Sequence, residues 1–384
     1  MVKALKEQRV SKVLRKIRLI LLTAGVTVGA MILIEEGFQS LLFSDVQMFQ
    51  KLRDPIFYVS GKTDDEYWIL DYWMSGKRES STATAHPLLG WIGDFSSENF
   101  RHHATEEIGN RVPVLLYGGS LAECVGLTKE KCFQGVLNTE TAFAEDYFLL
   151  NYGVDGYGLD QIFLLFKHSI EYYAESHMNH SLKAGARGSP FIIISLWTHD
   201  LDWSLLSVRQ TPKPYFHLIG DQLVLRGTPI HPDPHKFFIE HAPTIGSYLY
   251  RLTINQVLPI PFLQIREHPG HVKWRASRIN KKILLDIIGE LRERKVPHVF
   301  LIFNTPEEIH GVLDDWRDAL ITGLLQDHDV PFISSRAVIR RDAKAQKKKI
   351  EDYYLPDTHP NADQIRLLSK EIKRFVLTAH GPVN

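Results

Sequence analysis

From residue 112 onward, short apolar runs alternate with longer amphipathic ones, and this alternation limits the fold more than any other feature of the chain. "PFIIISLW" (190–197) is rich in β-branched residues and has no polar alternation, as a strand requires when both of its faces are covered. "VPVLLY" (112–117), "YFLLNYG" (147–153), "HVFLIFN" (298–304) and "VPFISS" (330–335) are runs of the same kind. Between them, "KEKCFQGVLNTETA" reads as a short helix. "LDQIFLLFKHSIEYYAES" (159–176), "INKKILLDIIGELRERK" (279–295), a stretch near 306–325 and "ADQIRLLSKEIKRFVLTA" (362–379) space their apolar residues for helices. Strands alternating with helices of this length predict a mainly parallel sheet with helices on both faces, a three-layer α/β/α domain.

The N-terminus is of a different character. Residues 1–18 carry Lys3, Lys6, Arg9, Lys12, Arg15, Lys16 and Arg18 against the single acid Glu7. "LILLTAGVTVGAMILI" (19–34) follows, sixteen residues without a charge, and then Glu35-Glu36. A helix needs about 20 residues to cross the hydrocarbon layer, and Ile17 with a snorkelling Arg18 extends the run toward that length. The preferred reading is an uncleaved anchor over 19–36; a cleaved signal peptide and a core helix are the alternatives. By the positive-inside rule the basic segment 1–18 stays cytoplasmic and the rest is exported. That predicts a single-pass protein of the cytoplasmic (inner) membrane with its bulk on the periplasmic side.

Residues 37–110, with "HPLLGWIGDF" (86–95), read as a loop-rich lead-in segment packing on a domain that fills 111–384. The alternation breaks between 203 and 275, where "PYFHLIGDQLVLRGTPI" predicts a hairpin turning at Gly220-Asp221. This stretch is expected to be an insertion. Cys124 and Cys132 are the chain's two cysteines, and either bridge a small loop or stay as buried thiols. Lys+Arg and Asp+Glu both number 45, so charge gives no reason to expect a nucleic-acid partner. His102-His103, "HPDPH" (231–235) and "EHPGH" (267–271) lack the spacing of a structural zinc site, and no metal is expected. No cofactor is expected either, because "GYG" lacks the lysine and further glycines of a phosphate loop.

In a parallel sheet, ligands bind beyond the carboxyl ends of the strands. Four stretches place glycine or polar residues there: Gly118-Gly119-Ser120, "NYGVDGYG" (151–158), "THDLDW" (198–203) and "LPDTHPNADQ" (355–364). Taken singly, each has an ordinary structural explanation as a turn or helix cap.

Their order resembles the SGNH (GDSL-like) hydrolase superfamily, and "LGW" (89–91), "GYGLDQ" and "KPYF" resemble its membrane-anchored bacterial branch. The resemblance spans about residues 86–378 and implies an SGNH/flavodoxin-like sheet. It implies Ser120 as nucleophile, His359 as base and Asp357 as the partner of that base. For the oxyanion hole it implies the backbone of Ser120, Gly156 and a side chain from the third block, where His199 stands in place of the family's asparagine. A neutral imidazole donates one hydrogen bond, so His199 serves there only in one tautomer; a structural histidine is the other reading. The family spaces its Asp and His one residue wider in many members, and Pro356 holds that wider position here.

A serine hydroxyl attacks only when a base takes its proton, and an acid beside the base fixes its tautomer. The expectation is therefore an exported serine esterase acting on an ester, most simply an O-acetyl group, of an envelope carbohydrate or lipid. An O-acyltransferase with the same site, or a non-catalytic glycan-binding or assembly protein, are the alternatives. No protein partner is legible.

Overall fold

The computed structural model describes residues 2–75, 84–173, 189–259, 269–312 and 315–380. The chain divides into two compact units, Met1–Glu79 with His241–Arg266, and Ser80–Glu240 with Glu267–Asn384.

The smaller unit begins with helix α1 (Val2–Leu42), whose stretch Leu14–Leu42 is long and apolar enough to cross a membrane by length and composition. Its side chains from Leu14 to Ile34 are mostly exposed, because no protein surface covers them. Beyond it, helix α2 (Asp65–Ser75) and the short helix Tyr248–Leu252 close a small core of Leu42, Tyr58, Tyr67, Leu70, Met74, Tyr248 and Leu252. The expected insertion over 203–275 is thus divided. Residues 203–240 belong to the larger unit, 241–259 to the unit that holds α1, and Pro269 opens a helix of the larger unit.

The larger unit is built on five parallel strands: β1 (Val112–Gly118), β2 (Tyr147–Gly153), β3 (Phe191–Trp197), β4 (His298–Phe303) and β5 (Phe332–Ser334). Their order is β2-β1-β3-β4-β5, with register pairs such as Leu115↔Leu150, Leu115↔Ile192, Ile194↔Phe300 and Leu301↔Ile333. Among the helices of this unit are α3 (Ser120–Glu123), α4 (Phe133–Asn138), α5 (Leu159–Tyr173), α6 (Pro269–Glu293), α7 (Trp316–Asp327), α8 (Ser335–Gln346) and α9 (Ala362–His380). Successive strand residues point to opposite faces. Leu115, Tyr117, Leu150, Ile192, Ile194 and Ile302 therefore meet α5, α6 and α7 through Ile162, Phe166, Ile283, Ile287 and Ile321. Val114, Leu116, Leu149, Ile193 and Leu301 meet α4 and α9 through Phe133, Leu137, Ile365, Leu368 and Ile372. Both faces are covered, which is why the strands read as unbroken apolar runs.

The lead-in segment divides as well. Leu89, Trp91, Phe95 and Ile108 enter the first of these cores, whereas residues 37–75 lie in the smaller unit. At the sheet's open edge the side chain of Asn138 satisfies both backbone groups of Leu149, at 2.9 and 2.7 Å, and Gln134 accepts from the Asn151 amide at 3.0 Å. Amides from α4 thus cover an edge that would otherwise offer free pairing groups. The single short helix read in "KEKCFQGVLNTETA" is a 3-10 turn (Lys129–Lys131), α4 and a further turn (Thr141–Ala144). The extended backbone of Cys132 separates the first two, and Cys132 is bonded to Cys124 with their Cα atoms 5.6 Å apart. The hairpin strands Tyr215–Ile219 and Gln222–Arg226 turn at Gly220, whose φ of 61° suits a residue without Cβ.

Candidate active site

β1 ends where its sequence turns to glycine, and the reason is space. A Cβ on Gly118 would lie 2.6 Å from the Cβ of Ala122 and 2.9 Å from that of Ser195. A Cβ on Gly119 would lie 3.2 Å from the carbonyl oxygen of Tyr157 and 3.5 Å from Oδ1 of Asp200. The pair of glycines therefore lets α3 fold back against the strand ends and lets the loops after β2 and β3 close on the one after β1. Ser120 opens α3 and is 4% exposed. Its carbonyl accepts from the amides of Cys124 and Val125, and Cys124, in the left-handed region at φ 64°, is the first half of the disulfide.

The fourth stretch reaches the same point from the other end of the chain. Nε2 of His359 lies 3.1 Å from Oγ of Ser120, across 239 residues of sequence. Oδ2 of Asp357 lies 3.1 Å from Nδ1 of His359, at ion-pair distance but out of line for a directed hydrogen bond. Oδ1 of the same carboxylate accepts the His359 amide at 3.2 Å. The loop is held by an antiparallel bridge between Tyr354 and Pro360 and by the Leu355 amide donating to the His359 carbonyl at 2.7 Å. Thr358, between the two, has φ 69°, an uncommon conformation for a β-branched residue and one that costs of order 1–3 kcal/mol. The Tyr354 hydroxyl donates to the carbonyl of Asn304 at 2.6 Å and fastens the loop to the end of β4. Asn361 caps α9 by accepting from the amides of Asp363 and Gln364.

Gly156 sits at φ 83°, where a Cβ would be 2.9 Å from Nε2 of Gln210 and 3.1 Å from the Trp91 ring. The three phrases "LGW", "GYGLDQ" and "KPYF" meet under this loop as one buried polar knot. The Trp91 indole donates to the Asp155 carbonyl at 2.9 Å, the Tyr157 hydroxyl donates to the Trp91 carbonyl, and Gln161 donates to the Leu89 carbonyl at 2.7 Å. Lys213, fully buried, pairs with the fully buried Asp160 and also donates to the carbonyls of Trp203, Leu206 and Pro214. Burial pushes the Asp160 carboxyl up, and the Lys213 ammonium opposes that push. Gln210 donates to Asp155 at 2.9 Å. A loop tied at so many points is set before any ligand arrives.

His199 follows β3 with its side chain 38% exposed, its ring 4.7 Å from that of Trp197 and its Nδ1 3.8 Å from Oδ2 of Asp202. Asp202 is in turn held by Arg317 at 2.7 and 3.0 Å. Asp200, the next residue, turns inward toward Gly119. It accepts from the Trp197 amide at 2.8 Å. Burial pushes its carboxyl up to about 7, against the pull of that amide and of Arg209. The sequence singled out His199 and passed over Asp200. It also gave no role to Arg209, whose guanidinium lies 3.2 Å over the Trp203 ring, or to the Asp160–Lys213 pair.

Of the five residues expected in the site, the structure brings Ser120, His359 and Asp357 into direct sequence of contact. Gly156 and His199 stand in the two loops that converge on Gly119. Two of the histidines weighed as metal ligands take part in local backbone hydrogen bonds. His102 is buried, receives the Ala104 amide on Nδ1 and faces the Asn151 carbonyl through Nε2, and Nδ1 of His231 receives the Asp233 amide. In "EHPGH", Glu267 and His268 lie outside the described residues. A cleft of about 970 Å³ opens beside α3, lined by Asp94, Glu123, Lys129, Glu130, Gln134 and Asn138 among others and by none of the five residues expected in the site.

No protein-family model and no curated protein matches this sequence. Several solved structures are similar to it in fold. A member of the lipolytic G-D-S-L family from Veillonella parvula DSM 2008 has 12% identity and TM-score 0.38 over 70% of this chain and 100% of its own. An acetyl xylan esterase, AlAXEase, has 10% identity and TM-score 0.38 over 69% and 100%. An acetylxylan esterase from Geobacillus stearothermophilus has 9% identity and TM-score 0.36 over 70% and 95%. Similarity at this level assigns neither chemistry nor substrate.

Proposed function

We propose that this chain is a membrane-anchored serine esterase of SGNH type, with Ser120 as nucleophile, His359 as general base and Asp357 as the group that orients the imidazole. One observation carries the reading: a serine hydroxyl at the end of a parallel strand lies 3.1 Å from an imidazole whose other nitrogen faces a carboxylate at 3.1 Å. In this reading Nε2 of His359 takes the Ser120 proton as Oγ attacks the ester carbonyl. The oxyanion is met by the backbone of Ser120 and Gly156 and by His199, and such donors are each worth roughly 100- to 1,000-fold in rate. The alcohol leaves with the proton from His359, and water then releases the acid from acyl-Ser120.

The basic segment 1–18 and the apolar helix behind it support a single-pass anchor in the cytoplasmic membrane with the α/β domain exported. An esterase anchored and exported in this way meets envelope material first, and we read its substrate as an ester, most simply O-acetyl, of an envelope carbohydrate or lipid.

The test compares wild type with Ser120→Ala for labelling by a fluorophosphonate and for release of p-nitrophenol from its acetate. Both signals are expected in wild type and neither in the variant. Equal background signals in the two proteins remove the catalytic reading.

A further inference from the structure

Helix α1 carries its own ruler. Arg18 and Glu35 bracket sixteen uncharged residues, about 24 Å at 1.5 Å per residue. With Arg18 snorkelling, Glu35 marks the level at which the helix leaves a hydrocarbon layer about 30 Å thick. At that level it meets a segment more than two hundred residues later in sequence. The Glu35 carboxylate accepts from the Ser247 hydroxyl at 2.5 Å and from the amides of Tyr248 and Leu249 at 2.7 and 3.3 Å. Gln39 Nε2 donates to it as well, at 3.0 Å, so four donors meet this charge and the carboxylate in turn occupies two open backbone amides, which lets it stand at the edge of an apolar layer.

These bonds fix the height of the returning segment 241–259. Its inner side, with Ile245, Tyr248 and Leu252, packs into the small core beside Leu42. Its outer side leaves Tyr250, Val257 and Leu258 exposed at 52, 65 and 61%. Outside α1, seven large apolar side chains of this unit are exposed among the described residues, against four in the much larger α/β unit. The excess marks this unit for a covering that the other does not need. From Tyr248 to Val257 the segment is helical or nearly so, and spans about 14 Å. It therefore stays within reach of the boundary that Glu35 marks, where tyrosine is favoured.

We propose that segment 241–259 is a second membrane-contacting element: Tyr250, Val257 and Leu258 lie against lipid at the headgroup boundary of the bilayer that α1 crosses. The proposal rests on the anchor reading above, and its test separates the two. Tyr250→Cys, Val257→Cys and, as the control within α1, Val28→Cys are made in the full chain with its disulfide intact. Each is labelled with an environment-sensitive nitrobenzoxadiazole and placed in phosphatidylcholine vesicles. Wild-type circular dichroism confirms the fold. Nitroxides are carried at the headgroup or near the acyl-chain end. The labels at 250 and 257 are expected to emit to the blue and lose at least about half their intensity to the headgroup nitroxide, as interfacial side chains do. The label at 28 is expected to respond to the deep nitroxide. Quenching at 28 with water-like, unquenched emission at 250 and 257 overturns the proposal and leaves the anchor standing. No quenching at 28 overturns both.

Discussion

Asp200 offers a test in which the size of the effect follows from its surroundings. It is fully enclosed, with one backbone donor at 2.8 Å and its carboxyl held up to about 7 by burial. In the unfolded chain the same group titrates near the ordinary aspartate value of about 3.9. Between those two values the folded protein keeps a proton that the unfolded chain has released. Unfolding then releases a proton, so this group's contribution to stability falls as pH rises through the window and levels off above about 7. A gap of about 3 units at 1.36 kcal/mol each sets a ceiling of about 4 kcal/mol lost at pH 8 relative to pH 3.

Asp200→Asn removes the ionisation and keeps an oxygen that accepts from the Trp197 amide. The expected variant matches wild type near pH 4 and becomes the more stable of the two above it. The advantage grows by about 1.4 kcal/mol per pH unit through the window and reaches roughly 3.5 kcal/mol by pH 7.5. The assay is urea unfolding of the detergent-solubilised chain at half-unit steps from pH 4.5 to 8.5. Taking the difference between two proteins cancels every other titrating group that both share. Stability curves that run parallel across this range refute the argument, because they require Asp200 to titrate alike in the folded and unfolded chains.

Lys213→Met strands the Asp160 carboxylate in the core and is expected to cost about 3–5 kcal/mol; adding Asp160→Asn should restore much of this, as double-mutant unfolding curves will register. Gly118→Ala places a methyl 2.6 Å from the Ala122 methyl and displaces the start of α3. Esterase kcat/KM should fall about 100-fold while far-UV circular dichroism is unchanged, and a variant as active as wild type counts against the packing argument.

The sheet was legible because a strand covered on both faces cannot alternate in polarity, and "PFIIISLW" does not. The neighbourhood of Ser120 was legible for a related reason: polar residues at the carboxyl ends of such strands have no core to fill. Other features were closed to sequence reading. Periodicity records that Tyr248 and Leu252 face something apolar, but not that the something is the end of α1, so the stretch 203–275 read as one insertion. Asp160 and Lys213 look in sequence like two ordinary solvated charges, since nothing local states that they pair in a fully buried site. The phrases around them were noticed as phrases, and only the folded chain gives their common purpose, which is to fix the loop that carries Gly156.

The two glycines before Ser120 join these levels. A strand that ended on larger residues would hold α3 away from Ser195 and hold the loop carrying Tyr157 away from β1, and the gap would admit water between the three strand ends. With Gly118 and Gly119 in place, backbone meets backbone. The loops that carry Tyr157 and Asp200 can then close on Gly119, next to Ser120. His359 completes the arrangement from a loop bent by the left-handed Thr358. Strain at Thr358 and burial of Asp200 each oppose folding, and both residues lie in loops close to the Ser120 end of β1. Two such costs beside one hydroxyl are a physical argument in support of the proposed site.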